Sequence, residues 1–143
     1  MSEQDFQPLI EEALKARLQS VAPFSGFLVG AAVKTDSGKV FTGCNVESAS
    51  YGLTVCAERV AIWKALSEGE RHFTELAVVA DTETLTPPCG TCRQIIWEFA
   101  RNATVVFANL NGQSETFHMA DLLPRAFDAR FLAGAKKETA NKA

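Results

Sequence analysis

Residues 74–93 read TELAVVADTETLTPPCGTCR, and this stretch decides the fold. It opens with an apolar run typical of a strand that is buried on both faces of a sheet. A loop follows, and Pro88 then leads into a helix that continues through QIIWEFAR. A buried strand that is followed by a helix is typical of an α/β domain, in which helices pack on the faces of the sheet. The cysteines at the start of that helix, Cys89 and Cys92, raise the question of function.

The segments before this stretch fit the same architecture. Residues 5–19 have the apolar spacing of an amphipathic helix, with Pro8 in its first turn. FLVGAAVKT and KVFTGCNVE flank the turn DSG, which predicts a β-hairpin. Residues 55–68 are predicted to be helical, with Thr54 as the N-cap and Gly69 as the stop.

The segments after it complete the sheet. ATVVFANL is predicted to be a second buried strand, NG at 111–112 a turn, and QSETFHM a further strand. ADLLPRAFD is predicted to be a short helix or turn that Pro124 interrupts, and residues 133–143 a frayed tail. The sequence therefore predicts a single domain over residues 1–143, a three-layer α/β/α fold with a mixed β-sheet.

Composition and charge narrow the function. With 47% hydrophobic and 22% charged residues among 143, the chain has the composition of a soluble globular protein. It contains neither an apolar run of about 20 residues, as a membrane span needs, nor a secretory signal. We therefore expect a cytoplasmic protein without a membrane partner. The net charge of -3 and the scattered 14 Lys and Arg residues argue against nucleic acid and favour a small ligand.

The cysteines suggest a metal site. In a reducing compartment, four cysteines favour metal binding or catalysis over disulfides. Cys56 is predicted in the first turn of the second helix, and Cys89 and Cys92 in the first turn of the third. Ligands of open α/β sheets bind at such strand-to-helix junctions. Three thiolates on one zinc ion leave a fourth position open, as in catalytic zinc sites.

Two neighbours of Cys56 add to this hypothesis. Arg59 lies on the same helix face as Cys56, so it could donate to a sulfur and offset negative charge. Glu58 is close enough to accept a proton from a water molecule without binding the metal. Zinc deaminases combine a Cys₃ or His/Cys/Cys site, a non-ligand Glu and the motif P-C-x-x-C. CAE at 56–58 and PCGTC at 88–92 supply each of these elements.

GCNVESASYGLTVCAERVAIWKAL and PPCGTCRQII closely resemble the small, zinc-dependent, homotetrameric cytidine deaminases, and the similarity runs from about Phe24 to Phe127. The resemblance implies hydrolytic deamination of cytidine and deoxycytidine to uridine and deoxyuridine, with release of ammonia, in pyrimidine salvage. It also implies one Zn²⁺ per subunit, bound by the three cysteines of the predicted cluster, with Glu58 as the proton shuttle.

The same resemblance assigns the substrate contacts. Asn45 and Glu47, in the family's N-x-E motif, are expected to hydrogen-bond the ribose 3′-hydroxyl. Phe27 is expected to pack against the pyrimidine, and the backbone N–H of Ala57 to meet its 2-oxo group.

The resemblance further implies that subunits of a homotetramer share their active sites. Phe127 resembles the aromatic residue that family members lend to a neighbour, and Ala49 and Tyr51 resemble positions that approach the sugar from another subunit. Two positions depart from the family pattern: Phe24 stands where Tyr is frequent, and Thr91 where Ala is more usual.

Other hypotheses remain open at this point. A fourth ligand, Cys44, would make a closed structural zinc site, and CGTC alone would suit a redox pair. Blasticidin-type deaminases resemble this fold, but their substrate has no ribose for Glu47. Nucleic-acid-editing deaminases need a basic channel. The sequence shows no group that reads the 2′-hydroxyl, so a preference between cytidine and deoxycytidine is open.

Overall fold

A five-stranded mixed sheet forms the centre of the structure, a computed structural model that describes residues 5–135. The strands are β1 Val29–Thr35, β2 Val40–Cys44, β3 Phe73–Ala80, β4 Thr104–Ala108 and β5 Ser114–His118. They lie in the order β2-β1-β3-β4-β5. β1 is antiparallel to β2 and β3, β3 is parallel to β4, and β4 is antiparallel to β5. The mixed sheet predicted from the sequence is confirmed.

Helices cover both faces of this sheet. They are α1 Gln7–Arg17, α2 Ala57–Ser67, α3 Gly90–Ala100, α4 Met119–Leu122 and α5 Ala129–Ala133. α1 packs on one face, where its apolar side chains form a buried cluster with Ala77 and Val79 of β3. α2 and α3 pack on the other face, in a cluster that contains Leu76 and Val78 of the same strand. Successive residues of β3 therefore serve opposite faces. The predicted three-layer α/β/α architecture is confirmed.

Two glycines let the helices lie close to the sheet. A Cβ at Gly30 in β1 would clash with the carbonyl oxygen of Ala13 in α1, and a Cβ at Gly43 in β2 would clash with that of Ala57 in α2. Because Ala57 is the first residue of α2, Gly43 lets the start of that helix lie directly against β2.

One end of the sheet collects the segments that lead into α2 and α3. Val29, at the start of β1, pairs with Ala80 at the end of β3, and Gly30 pairs with Cys44 at the end of β2. The chain leaves β2 and β3 from this end, so α2 and α3 both begin here. This agrees with the sequence, whose strand-to-helix junctions predicted that the two helix starts lie at one end of the sheet.

Several local predictions need correction. Cys56, not Thr54, is the N-cap of α2, and Thr54 instead accepts a hydrogen bond from the backbone N–H of Ser48 (3.0 Å). Cys56 and Cys89 are therefore N-caps and not first-turn residues. The 3₁₀ turn Tyr51–Leu53 and helix α5 were not predicted.

Other boundaries agree with the predictions. α2 ends at Ser67, and Gly69 follows with a φ of 92°, in the left-handed region that glycine favours. α4 ends at Leu122, before Pro124. The predicted frayed tail begins at Ala133, the last residue of α5, and lies outside the described residues from position 136. No helix in residues 5–135 is long and apolar enough to cross a membrane.

Candidate metal centre and active site

Two helix starts bring three sulfur atoms together. Cys56 is the N-cap of α2, Cys89 is the N-cap of α3, and Cys92 lies in the first turn of α3. Their Sγ atoms all lie within 4.8 Å of one another, and those of Cys56 and Cys89 are 3.7 Å apart. Cys44 is not part of this group, which disfavours the closed Cys₄ hypothesis.

The geometry of the three sulfurs fits a zinc ion. Zn–S bonds of about 2.3 Å in a tetrahedron place two sulfurs about 3.8 Å apart, close to the separation between Cys56 and Cys89. In the described part of the chain neither of these cysteines uses its side chain to cap its helix, so both sulfurs are available as ligands. The positive ends of α2 and α3 also favour thiolates. Three ligands leave one position for water or substrate.

The electrostatics of the cluster indicate that a cation is needed to ionise it fully. The neighbouring Cys92 thiol, together with Arg59, lowers the pKa of Cys56 to about 5. The pKa of Cys92 is strongly raised, because its interaction with Cys56 and its burial disfavour a second thiolate. A guanidinium nitrogen of Arg59 lies 3.8 Å from the Cys56 sulfur and 3.1 Å from the carbonyl oxygen of Thr54, to which it donates. Arg59 thus occupies the position expected from its spacing.

Glu58 is a buried carboxyl group beside this cluster. It is the second residue of α2, only 3% exposed, and it lines the same cavity as Cys56 and Cys89. Burial, with a smaller contribution from the charge of Cys56, raises the pKa of Glu58 to about 7. A carboxyl group with a pKa near neutrality can both take up and release a proton during a reaction.

Cys56, Cys89 and Glu58 line a cavity of about 250 Å³, and Cys92 is buried behind them. This volume is slightly below the roughly 300–1,000 Å³ that is typical of ligand pockets, so the cavity suits only a small ligand. Four of the predicted substrate-binding residues line it: Phe27, Asn45, Glu47 and Ala57. Larger hollows on the surface carry no metal-ligating cluster within the described residues.

Asn45 lies at the cavity with half of its side-chain hydrogen-bonding capacity already used. Its Nδ2 donates to the carbonyl oxygen of Phe27 (2.7 Å), and its Oδ1 accepts from the backbone N–H of Val29 (2.9 Å). An amide has two N–H donors, so one remains for a ligand. Asn45 therefore holds the backbone that carries the Phe27 ring.

Glu47 is likewise bound to the loop before β1. Its Oε1 accepts hydrogen bonds from the backbone N–H groups of Phe24 (2.9 Å) and Ser25 (3.1 Å), and its Oε2 accepts one from the Ser25 hydroxyl. These hydrogen bonds lower the pKa of Glu47, and the bond from the Ser25 hydroxyl makes the largest contribution. The carboxylate is therefore ionised at neutral pH.

Three predicted substrate residues lie outside the cavity of their own chain. Ala49 and Tyr51 are exposed beside the 3₁₀ turn, and Tyr51 packs edge-on against Phe24 with ring centroids 6.1 Å apart. Phe127 is 56% exposed, and its carbonyl oxygen accepts a hydrogen bond from Gln94 (2.8 Å). The structure therefore does not bring these three residues to the sulfur cluster of the same chain.

The cavity also has residues that the sequence did not predict as site residues. They contribute hydroxyl groups and apolar wall and are Ser25, Val29, Thr54, Val78, Thr86 and Pro87. Thr86 and Pro87 immediately precede the motif PCGTC, and Ser25 is two residues from Phe27. Their closeness in the sequence to the cysteine motif and to Phe27 was the only indication that Thr86, Pro87 and Ser25 would line the cavity.

Comparison with known proteins agrees with this geometry. Residues 3–109 match a sequence model of the cytidine and deoxycytidylate deaminase zinc-binding region. The chain is 47% identical over 135 residues to a cytidine deaminase of Sporosarcina psychrophila, covering 94% of this chain and 99% of that protein. It is 49% identical over 126 residues to one of Halalkalibacterium halodurans, covering 87% and 96%.

Solved structures agree as well. A crystal structure of cytidine deaminase from Burkholderia pseudomallei superposes with a TM-score of 0.84 at 47% identity, covering 87% of this chain and all of that one. The family model is that of a zinc-binding region, and zinc is the metal that the three sulfurs fit. From the cluster at two helix starts and these matches, it follows that the chain belongs to the cytidine and deoxycytidylate deaminase zinc-binding family.

Proposed function

We propose that this protein is a zinc-dependent enzyme that hydrolyses cytidine and deoxycytidine to uridine and deoxyuridine, with release of ammonia. The observation that carries the proposal is the group of three sulfurs and the buried carboxyl of Glu58, because two of the sulfurs and Glu58 line the same small cavity. The similarity to proteins named cytidine deaminase supports the choice of substrate.

Glu58 moves the protons in the proposed mechanism. Zn²⁺ held by Cys56, Cys89 and Cys92 supplies a Lewis acid that lowers the pKa of water toward about 7. Glu58 takes the proton of the attacking water and delivers it to N3 of the cytosine ring. The water oxygen adds to C4, and Glu58 then carries the second proton of that water from the new C4 hydroxyl group to the amino group, so that the C4 oxygen becomes the carbonyl oxygen as the C4–N bond breaks. That group leaves as ammonia, so cytidine and water give uridine and ammonia in balance.

The remaining cavity residues orient the substrate. Ala57 is the first residue of α2, and its backbone N–H is one of the four at a helix start that have no partner within the helix. It is placed to donate to the 2-oxo group, and the Phe27 ring to pack on the base. Asn45 has one N–H donor left, and Glu47 has one acceptor position left. A sugar hydroxyl both donates and accepts a hydrogen bond, so it can pair with both groups.

We extend the proposal to a homotetramer with shared sites. Ala49, Tyr51 and Phe127 are exposed and lie outside the cavity of their own chain, so they are free to approach a neighbour's. Mixing Glu58→Gln and Phe127→Ala subunits by co-expression tests this. Mixed tetramers should regain activity, because some sites then combine an intact Glu58 with an intact Phe127. A fully active monomer in light scattering would contradict the proposal.

The first experiment is ammonia release from a panel of cytidine, deoxycytidine, cytosine and blasticidin S. We expect turnover of both nucleosides and little of the free base, because cytosine leaves the hydroxyl partners on Asn45 and Glu47 unused. Turnover of blasticidin S alone would instead assign the chain to the blasticidin-type deaminases. An enzyme that holds one zinc and deaminates none of the four compounds would contradict the proposed function.

A further inference from the structure

Ser25 connects the two parts of the cavity wall that contact the substrate in the proposed function. Its hydroxyl donates to Oε2 of Glu47 and accepts a hydrogen bond from the backbone N–H of Phe27 (3.0 Å). One hydroxyl thus bridges the carboxylate assigned to the sugar and the backbone of the ring assigned to the base.

Phe27 is held from both sides by this arrangement. Its N–H is bound by Ser25 and its carbonyl oxygen by Asn45 (2.7 Å). Gly26, between Ser25 and Phe27, has a φ of 66°, which lets the chain turn back tightly enough for the Ser25 hydroxyl to reach the Phe27 N–H. Phe27 is 40% exposed and lies outside the buried core, so these polar contacts hold the backbone that carries its ring.

The carboxylate of Glu47 is fixed in the same way. A carboxylate offers about four acceptor positions, and hydrogen bonds from the 24–25 loop take three of them. The remaining position has a defined direction only while the other three are filled. The Ser25 hydroxyl is the one of these donors that a side-chain substitution can remove.

We infer that Ser25 is a positioning residue for substrate binding: its hydroxyl holds the Glu47 carboxylate and the Phe27 ring as one rigid unit. The inference rests on the proposed function, since it assigns these groups to a nucleoside. It predicts that losing the hydroxyl weakens substrate binding and leaves proton transfer by Glu58 intact, because Ser25 touches neither Glu58 nor the sulfurs by any hydrogen bond in the described residues.

The chain provides a matched control. Ser37, in the turn between β1 and β2, donates its hydroxyl to Oε1 of Glu70 (2.6 Å), and this bond lowers the pKa of Glu70. The chemistry is that of Ser25 and Glu47, and both serines are exposed. The Ser37 turn, however, lies at the other end of β1 and away from the residues that line the cavity.

The experiment compares Ser25→Ala, Ser25→Thr and Ser37→Ala with wild type, using cytidine turnover and hydrogen exchange of the backbone amides of residues 24–27. For Ser25→Ala we expect KM to rise roughly two- to tenfold, the range for one lost hydrogen bond, with kcat within about twofold of wild type. Amide exchange at Phe27 should become faster. Ser25→Thr keeps the hydroxyl and should restore KM, and Ser37→Ala should change neither KM nor exchange at residues 24–27.

The other outcomes distinguish a failure of the Ser25 inference from a failure of the proposed function. If wild type is active, three results overturn the inference and leave the proposed function standing. They are an unchanged KM in Ser25→Ala, an equal rise of KM in Ser37→Ala, and a kcat of Ser25→Ala that falls as much as its KM rises. Unchanged exchange at Phe27 overturns it independently of any substrate. A wild type that does not deaminate cytidine overturns the proposed function, and with it the assignment of Ser25 to nucleoside binding.

Discussion

On the metal side of the cavity, which comprises Cys56, Glu58, Cys89 and Cys92, position is set by where two helices begin on the sheet. On the loop side, which comprises Ser25, Phe27, Asn45 and Glu47, position is set by hydrogen bonds between side chains and a loop backbone. The metal side is partly buried and carries raised and lowered thiol pKa values, whereas the loop side is more exposed.

This difference fits the separate roles that the proposed function gives to the two sides. Regular elements packed on a core hold groups to the precision that proton transfer requires, and here they hold Glu58 and the sulfurs. In the proposed function the loop side needs only to recognise a ligand, and its groups also hold one another. We therefore expect damage to the metal side to abolish the reaction and damage to the loop side to weaken binding.

The largest effect should follow from removing a sulfur. Cys92 is fully buried, and Cys92→Ala leaves only two of the three ligands, so we expect loss of zinc and of measurable activity. Metal analysis and cytidine turnover on the same samples check this. Cys44→Ala is the control, because Cys44 lies outside the cluster. Full activity in Cys92→Ala, or zinc loss in Cys44→Ala, would contradict the assignment of ligands.

The next effect should come from moving a helix start. Gly43→Ala would push the first residue of α2 off β2, because the added methyl group meets the Ala57 carbonyl. Such overpacking costs about 1–3 kcal/mol of stability, and the shift should also weaken zinc retention. Denaturant unfolding measures the loss of stability, and the rate of zinc release measures zinc retention. Gly52→Ala, where a new Cβ meets no atom within 4 Å, should change neither; equal losses in both variants would contradict this role for Gly43.

A smaller effect is expected from opening the loop side. Asn45→Ala leaves the Val29 N–H and the Phe27 carbonyl without their partner, a loss of about 1–3 kcal/mol for buried groups. KM for cytidine should rise while zinc content stays at one per chain. An unchanged KM would contradict this role for Asn45, and loss of zinc would show that the two sides are not independent.

The smallest effect concerns pH. The Ser25 hydroxyl, with the N–H groups of Phe24 and Ser25, holds the pKa of Glu47 below its ordinary value of 4.5. A carboxyl whose pKa is lowered in the folded state stabilises the fold above its unfolded pKa, and this contribution is lost as the pH falls through the folded pKa. The loop side should therefore stay intact from pH 8 to about pH 5.

Carboxyl-carbon NMR titration measures this directly. Ser25→Ala should move the pKa of Glu47 up toward its ordinary value, and Ser37→Ala should do the same for Glu70 only. A Glu47 that titrates at or above 4.5 in wild type would contradict the hydrogen-bonded loop.

The sequence predicted the metal side well because its signals are local. The apolar pattern of TELAVVAD, the Pro88 boundary and the spacing of the cysteines place three sulfurs at two helix starts without any knowledge of packing. The N-cap of α2 was missed because Thr54 is the better capping residue by type, but in the fold its hydroxyl is bound to Ser48.

The loop side and the C-terminal segment depend on contacts between distant residues. Ser25 and Glu47 are 22 residues apart, and no local pattern pairs them. Helix α5 was missed for the same reason. Its N-cap, Asp128, is held by Trp97 (3.0 Å) and Arg101 (3.4 Å) on and beside α3, in addition to Arg130 next to it.

The most direct test of the proposed function is cytidine turnover and zinc content in wild type and Glu58→Gln, with Glu68→Gln at the exposed C-cap of the same helix as control. We expect one zinc in all three proteins, full activity in Glu68→Gln, and a loss of kcat of roughly 10²- to 10⁴-fold or more in Glu58→Gln. A Glu58→Gln enzyme that holds zinc and deaminates cytidine at the wild-type rate would contradict the role of Glu58 as the proton carrier.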